Sequence, residues 1–189
     1  MNLKQILSIE HHFRQIMLAM EIDLTDPNYI DTPRRFAKVY DEIFAGLDEN
    51  AGEKLEKILS TTFPAKYNQM IITKNLKVWS CCPHHFLPVE MTINFAYIPS
   101  NSVIGLSKVP RAIQLLAAKP ILQEQLTTDI VSVFEKCLQP KGCVVHITGE
   151  HLCMKMRGVK THSAEVTTTS FTGCFELQTS RSEFFDSIK

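Results

Sequence analysis

The chain has 189 residues, of which 44% are apolar and 21% charged, and its formal net charge is zero. This length and composition predict one globular domain, with at most a helical appendage, and argue against intrinsic disorder. A neutral chain lacks the basic excess typical of nucleic-acid-binding proteins, so a small anionic ligand is favoured over a nucleic acid.

The first third of the chain predicts helices. Apolar residues recur at helical spacing over Leu3–Ile22, which predicts an amphipathic helix. Thr32-Pro33 is typical of a helix start, and a second helix is predicted over Pro33–Leu47. A shorter helix is predicted over Glu53–Leu59. We expect an N-terminal helical region over residues 1–66 and a mixed domain over residues 67–189.

Nothing in the sequence predicts secretion or membrane insertion. Charged residues interrupt the N-terminal apolar positions, and no apolar run approaches the length of a membrane span. We therefore expect a cytoplasmic protein, whose six cysteines are reduced. Cys137, Cys143 and Cys174 have no polar partners nearby in sequence and are predicted to be small buried hydrophobic residues.

From Met70 onward the apolar period changes to that of strands. Met70–Trp79 predicts extended chain with a turn near Lys74-Asn75, and Val89–Tyr97 alternates like a half-buried strand. Two further strands are predicted over Cys143–Cys153 and Val166–Phe175.

Between these strand pairs lie two predicted helices, Val109–Ala118 and Ile121–Leu138, separated by Pro120. A last short helix is predicted from Ser180-Arg181-Ser182-Glu183, which has the form of a capping box. The order of elements predicts an α+β fold in which two hairpins are joined by a helical crossover.

Two short segments concentrate residues that bind metals. Cys82 and His85 have Cys-x2-His spacing, and His151 and Cys153 would share one side of a strand. Thiolate and imidazole together suit zinc. Three ligands would leave an open catalytic position and a free histidine, whereas all four would close a structural site. The alternative is that no metal binds: the two histidines would have their hydrogen bonds satisfied at a turn, and the two cysteines would simply be buried.

A second set of residues suggests an anion site. Ser107, Lys108 and Arg111 lie at a predicted helix start, where backbone N–H groups and the helix dipole favour a phosphate. Arg157 follows the second metal-binding segment and could join them. Gln123-Glu124 could accept the N–H groups of a guanine edge. Each of these residues could equally be a solvated surface residue.

Taken together and in order, these segments resemble the GTP cyclohydrolase I family. The resemblance runs from Val78 to Phe185. Its segments are Cys82-Pro83-His84-His85, Tyr97-Ile98-Pro99, Ile104–Lys108, Gln123–Thr127, His151–Met154, Met156-Arg157-Gly158 and Thr167–Ser170. It implies a T-fold, meaning an antiparallel four-stranded sheet with a two-helix crossover, for the catalytic domain. It also implies a toroidal homodecamer with active sites shared between subunits.

The resemblance also implies roles for individual residues. Cys82, His85 and Cys153 would bind Zn²⁺, and His84 and His151 would transfer protons. The residues expected to bind substrate are Glu124 with Gln123 at the guanine, and Ser107, Lys108, Arg111 and Arg157 at the triphosphate and ribose.

The implied reaction is hydrolytic opening of the GTP imidazole ring, release of formate and rearrangement to 7,8-dihydroneopterin triphosphate. This is the first step of folate and pterin, or deazapurine, biosynthesis. Two alternatives are a related T-fold enzyme acting on another nucleotide, and a non-catalytic regulatory paralogue that binds zinc and nucleotide.

The sequence departs from the family pattern at three places. Pro83 stands where the family usually has Glu, and Gln125 stands where it usually has Arg. The usual Gly after the histidine segment is absent, since Val89-Glu90-Met91 continues without one. None of the expected zinc ligands or proton carriers is missing, which favours retained catalysis.

Overall fold

The computed structural model describes residues 1–189 and begins with three helices, α1 (Leu3–Ala19), α2 (Thr32–Ile43) and α3 (Ala51–Leu59). Helices α1 and α2 pack through Phe13 and Phe36, whose rings stack with centroids 3.6 Å apart. All three helices were predicted, but α1 ends three residues before the predicted Ile22 and α2 ends four residues before the predicted Leu47.

The early end of α2 has a tertiary cause. A 3₁₀ turn over Ala45–Leu47 follows the helix, and within it the Gly46 N–H donates to the Ala118 carbonyl at 2.8 Å. A Cβ atom on Gly46 would lie 2.7 Å from that carbonyl oxygen, which is closer than real Cβ contacts allow. Glycine therefore permits the chain to leave the helix and approach the crossover closely.

Two hairpin-forming strands follow, β2 (Ile71–Cys81) and β3 (Pro88–Ile98). Two short strands, β1 (Thr62–Pro64) and β4 (Ser102–Ile104), pair separately in an antiparallel ribbon that was not predicted. The turn predicted near Lys74-Asn75 is wrong, because β2 continues through it with a register shift between Thr73 and Leu76. Asn75 takes a positive φ of 57° there, and its N–H donates to Asn94 Oδ1 at 2.9 Å.

The crossover consists of α4 (Lys108–Ala117) and α5 (Gln123–Leu138), which lead into β5 (Gly142–His151) and β6 (Val166–Phe171). The four long strands form one antiparallel sheet in the order β2-β3-β5-β6. This arrangement confirms the predicted α+β class and T-fold topology, with a two-helix crossover between the hairpins. None of the helices is long and apolar enough to cross a membrane.

The C-terminal part differs from prediction in three places. Strand β5 stops at His151 and is followed by the short helix α6 (Leu152–Lys155), so the predicted strand does not reach Cys153. Strand β6 stops at Phe171 instead of Phe175. The last helix, α7 (Gln178–Ile188), is capped at Leu177 without a side-chain hydrogen bond, so the predicted capping box is wrong.

The main core lies between one face of the sheet and the two crossover helices. Phe95 on β3 packs on Phe134 of α5, with ring centroids 4.4 Å apart and both side chains fully buried. A smaller core covers the other face, where Ala96 and Val144 meet Phe175 and Phe184. Strand β3 is therefore buried on both faces at this end, and the prediction of a half-buried strand is wrong there.

The three cysteines predicted to be buried behave differently from one another. Cys143 is buried in the main core and Cys174 is half-buried, but Cys137 is exposed. The prediction is therefore wrong for Cys137. An isolated cysteine in sequence does not reveal which side of its helix packs on the core.

Candidate functional site

Cys82 and His85 lie in the turn that joins β2 to β3. The Cys82 N–H donates to the Leu87 carbonyl, and the Phe86 N–H donates to the Cys82 carbonyl, each at 2.9 Å. Neither bond needs an N–H from residue 83, so the lack of an N–H on Pro83 leaves the turn intact. The turn also holds Phe86 at a positive φ of 54°, which is uncommon for an aromatic residue.

Cys153 reaches this turn from the far end of β5. Because the chain leaves the strand at His151 and enters α6, Cys153 does not share a strand face with His151 as predicted. The ligand atoms of Cys82, His85 and Cys153 all lie within 4.8 Å of one another. His151 is not part of this group, so the alternative of a closed site with four ligands is not formed.

The three side chains fit a zinc ion. A tetrahedral zinc with the usual bond lengths separates a sulfur and a nitrogen ligand by about 3.6 Å. Cys82 Sγ and His85 Nδ1 lie 3.8 Å apart, close to that value. Two thiols and one imidazole form a donor set that suits zinc better than magnesium or calcium. Burial raises the pKa of the Cys153 thiol, and the neighbouring Cys82 raises this pKa further. A bound metal would therefore displace the thiol proton.

A pocket of about 210 Å³ adjoins the three candidate ligands. The N-terminus of α5 reaches it because the Ile121 N–H donates to the carbonyl of Cys81, beside the turn, at 3.1 Å. The pocket is lined by residues that include His84, Glu124 and His151. His84 is exposed at the turn, with Nδ1 4.0 Å from Cys82 Sγ. The structure thus brings both predicted proton carriers to one pocket with the predicted guanine anchor.

The environment of His151 favours its neutral form. Burial lowers the pKa of His151, and the smaller opposing effect comes from the carboxylate of Glu124. Its Nε2 atom lies 2.9 Å from Gln123 Oε1. Gln123 is buried, and its amide nitrogen donates to the Val166 carbonyl at 2.9 Å. The Gln123 amide is therefore held within the protein, in contrast to the exposed Glu124 side chain.

Arg157 lies against His85, with Nη1 2.6 Å from His85 Nε2. A guanidinium only donates hydrogen bonds, so Nε2 accepts and the ring proton lies on Nδ1. Binding a metal through Nδ1 requires the other tautomer, with the proton on Nε2. Metal binding would therefore end this contact and leave the Arg157 guanidinium available to an anion.

The remaining predicted cations lie in a different place. A basic pocket of about 560 Å³ is lined by Lys108 and Arg111 of α4 together with Lys54 and Lys57 of α3. It shares no lining residue with the pocket beside the candidate ligands. Ser107 precedes α4 as its N-cap residue, and its side chain makes no capping hydrogen bond. Within one chain, Lys108 and Arg111 therefore line a different pocket from Cys82 and Cys153.

Lys54 and Lys57 were not predicted as site residues. Their spacing of three places them on one side of α3, which is the only signal that the sequence contains. Lys54 also pairs with Asp48, at 3.3 Å from Nζ to Oδ1. Only the packing of α3 against α4 brings them beside Lys108 and Arg111.

Known proteins resemble this chain along most of its length. A profile of the family described as GTP cyclohydrolase I matches residues 9–189. A protein of Shewanella denitrificans named GTP cyclohydrolase 1 is 37% identical over 185 residues, covering 97% of this chain and 84% of that protein. Those of Yersinia enterocolitica and Clostridium perfringens are each 38% identical, covering 96% and 88% of this chain and 82% and 88% of their own lengths.

A solved structure adds a more distant comparison. The archaeosine synthase QueF-Like, in its apo form, aligns with a TM-score of 0.43 and 16% identity. The alignment covers 58% of this chain and 96% of that chain.

Proposed function

The chain belongs to the GTP cyclohydrolase I family, and from this we propose that it opens the imidazole ring of GTP hydrolytically. The proposed products are formate and 7,8-dihydroneopterin triphosphate. The observation that carries the proposal is the meeting of Cys82, His85 and Cys153 beside a pocket lined by His84, Glu124 and His151. Residues proposed as metal ligands, proton carriers and a purine-binding carboxylate thus lie close together.

Cys82, His85 and Cys153 would hold a zinc ion, and three protein ligands leave a fourth position open. A zinc ion there supplies Lewis-acid activation of water for attack on carbon 8 of guanine. The exposed turn position of His84 suits proton donation to the adjacent ring nitrogen as the carbon–nitrogen bond breaks. His151, kept neutral by burial, suits the proton transfers of the ribose steps that follow.

Glu124 is proposed to select guanine. An ionised carboxylate accepts two hydrogen bonds, and the Watson–Crick edge of guanine presents two adjacent N–H donors. Adenine lacks this pair of donors, so it would leave the carboxylate unpaired at a cost in binding. Glu124 suits this role because its exposed side chain lines the pocket.

The basic pocket of Lys54, Lys57, Lys108 and Arg111 is proposed to bind the triphosphate. Ser107 and Arg157 are expected to contribute to the same part of the substrate. The two pockets have no lining residue in common, which is compatible with one nucleotide being bound by residues of neighbouring subunits. This supports a homo-oligomer, for which the family resemblance implies a decamer.

The test is product analysis with the zinc-loaded full chain. GTP is added, formate is measured, and fluorescent pterin is measured after oxidation of the product. The proposal expects both products in equal amounts. Formate without pterin would indicate a related enzyme that stops at an earlier intermediate. Bound but unchanged GTP would indicate a non-catalytic nucleotide-binding protein.

An active enzyme would act in the cytoplasm, at the start of folate, pterin or deazapurine biosynthesis.

A further inference from the structure

Gln123, the first residue of α5, packs its side chain against the last two strands of the sheet, β5 and β6. Its side-chain amide nitrogen donates to the Val166 carbonyl at 2.9 Å, to Thr168 Oγ1 at 3.1 Å and to the Ile147 carbonyl at 3.3 Å. Thr127 supports the same arrangement. Its hydroxyl donates to the main-chain carbonyl of Gln123 at 2.6 Å, and its Oγ1 lies 2.6 Å from Thr168 Oγ1.

These partners determine which way the Gln123 amide faces. Backbone carbonyls only accept hydrogen bonds, so the end of the amide beside Val166 and Ile147 must be the nitrogen. The oxygen Oε1 therefore faces His151, 2.9 Å from Nε2. Because an amide oxygen only accepts, Nε2 must carry the ring proton of His151. In the neutral ring the lone pair is then on Nδ1.

Gly149 of β5 lies directly beside the hydrogen bond between Gln123 and His151. A Cβ atom at residue 149 would lie 2.1 Å from Gln123 Oε1 and 3.4 Å from His151 Nε2. Any side chain there would displace the amide oxygen from the imidazole. Gln123 itself is only 3% exposed, so a hydrogen bond lost there would not be replaced readily by water.

We propose that Gln123 is a positioning residue that holds His151 in the tautomer protonated at Nε2 and so fixes the direction of the unprotonated Nδ1 for the catalytic role proposed for His151. The catalytic half of this inference rests on the proposed function, in which His151 is a proton carrier. The structural half, the tautomer, does not depend on any activity. Gln123 then acts through His151 and makes no contact with guanine.

The first experiment measures the tautomer directly. The zinc-loaded full chain is labelled with ¹⁵N-histidine, and its ring nitrogens are observed by NMR at one fixed pH, with His151→Asn used to assign the signals. The expected spectrum shows an N–H signal at Nε2 and an unprotonated Nδ1. In Gln123→Leu, His151 should become a mixture of tautomers. A wild-type ring protonated at Nδ1, or an unchanged Nε2–H tautomer in Gln123→Leu, would overturn the proposal.

The second experiment measures turnover with zinc content read on the same samples. Gln123→Leu is expected to lower kcat by about 10- to 100-fold with unchanged KM, the range found when a hydrogen-bond partner that orients a metal-binding histidine is removed. Gln123→Glu keeps an acceptor oxygen for His151 and, with its buried carboxyl group protonated, a donor for the Val166 carbonyl, so it should recover part of that loss. Gly149→Ala should lower kcat although Gln123 is present, and it serves as the test if Gln123→Leu does not fold.

Thr128→Ala is the matched control, since Thr128 is exposed on the same helix and its hydroxyl donates to the main-chain carbonyl of Glu124 at 3.1 Å. It should leave kcat and KM unchanged. An increase in KM at constant kcat for Gln123→Leu would show a guanine contact and overturn the positioning role. If the wild-type protein forms no formate, the proposed function fails, while the NMR result still decides the tautomer.

Discussion

His84 and His85 are consecutive in the chain, yet their ring centroids lie 6.3 Å apart and their planes cross at 78°. Only His85 joins Cys82 and Cys153 in the candidate metal group, whereas His84 lines the adjoining pocket. A tight turn thus separates a candidate ligand from a candidate proton carrier without any intervening residue.

His84→Ala should therefore keep one zinc per chain and lose formate production by about 10²- to 10⁴-fold, the usual contribution of an acid–base group. His85→Ala should lose the zinc itself. The measurements are metal content by atomic spectroscopy and formate release on the same samples. Loss of zinc from His84→Ala would contradict the division between the two residues.

Glu124→Gln should weaken selection of guanine. The substitution replaces an acceptor oxygen with a donor amide, and a hydrogen bond to a charged group is worth about 1.5–3 kcal/mol, or about 10- to 150-fold. We expect kcat/KM for GTP to fall by that factor with no change in melting temperature, because the side chain is exposed. Gln125→Ala, one residue along the same helix and also exposed, is the control and should leave kcat/KM unchanged.

Lys57→Ala and Arg111→Ala should each raise KM for GTP several-fold with little change in kcat. Both residues line the basic pocket and would lose an ionic contact worth about 1 kcal/mol. In each variant, KM should also depend less on salt concentration than in the wild-type protein, because fewer charges attract the triphosphate. Lys136→Ala removes an exposed cation from α5 that does not line this pocket, and it should leave KM unchanged.

Zinc binding should weaken as the pH falls. Burial raises the pKa of the Cys153 thiol, so the thiol is protonated at neutral pH and must release a proton to bind the metal. Each displaced proton makes the apparent zinc affinity rise about tenfold per pH unit up to the thiol pKa. Competition with a chelator between pH 6.5 and 8.5 measures this, and an affinity independent of pH would contradict thiolate ligation.

His146 should contribute to acid destabilisation. Burial lowers its pKa from the ordinary value of 6.5, while its Nδ1 lies 2.8 Å from Thr169 Oγ1. Below about pH 6.5 the unfolded chain binds a proton at this histidine that the folded protein does not. The free energy of unfolding therefore decreases as the pH falls toward the folded pKa. His146→Gln should show a smaller drop in melting temperature between pH 7 and 5.5. His151, shifted in the same direction, remains in both proteins.

Much of the fold followed from local patterns. Helical spacing and strand alternation predicted the three N-terminal helices, the four long strands and the crossover, because these periods come from backbone geometry. Apart from the turn wrongly predicted inside β2, the unpredicted β1–β4 ribbon and the burial of β3 on both faces, the errors lie at element ends. The residue at which α2 or β5 stops depends on partners distant in sequence, such as the Ala118 carbonyl for Gly46.

The site was predicted where its residues are close in sequence. The Cys-x2-His spacing of Cys82 and His85 needs only one turn to bring both side chains together, so the sequence alone determined that pair. The ordered motifs also identified the family, because several segments at matching intervals rarely recur by chance.

Only the tertiary structure separated the roles of residues that the sequence leaves equivalent. The end of β5 at His151 turns Cys153 toward the metal group and leaves His151 with Gln123. The packing of α3 on α4 adds Lys54 and Lys57 to the basic pocket. Side-chain direction beyond one turn or strand depends on how distant elements pack, and local spacing contains no information about that packing.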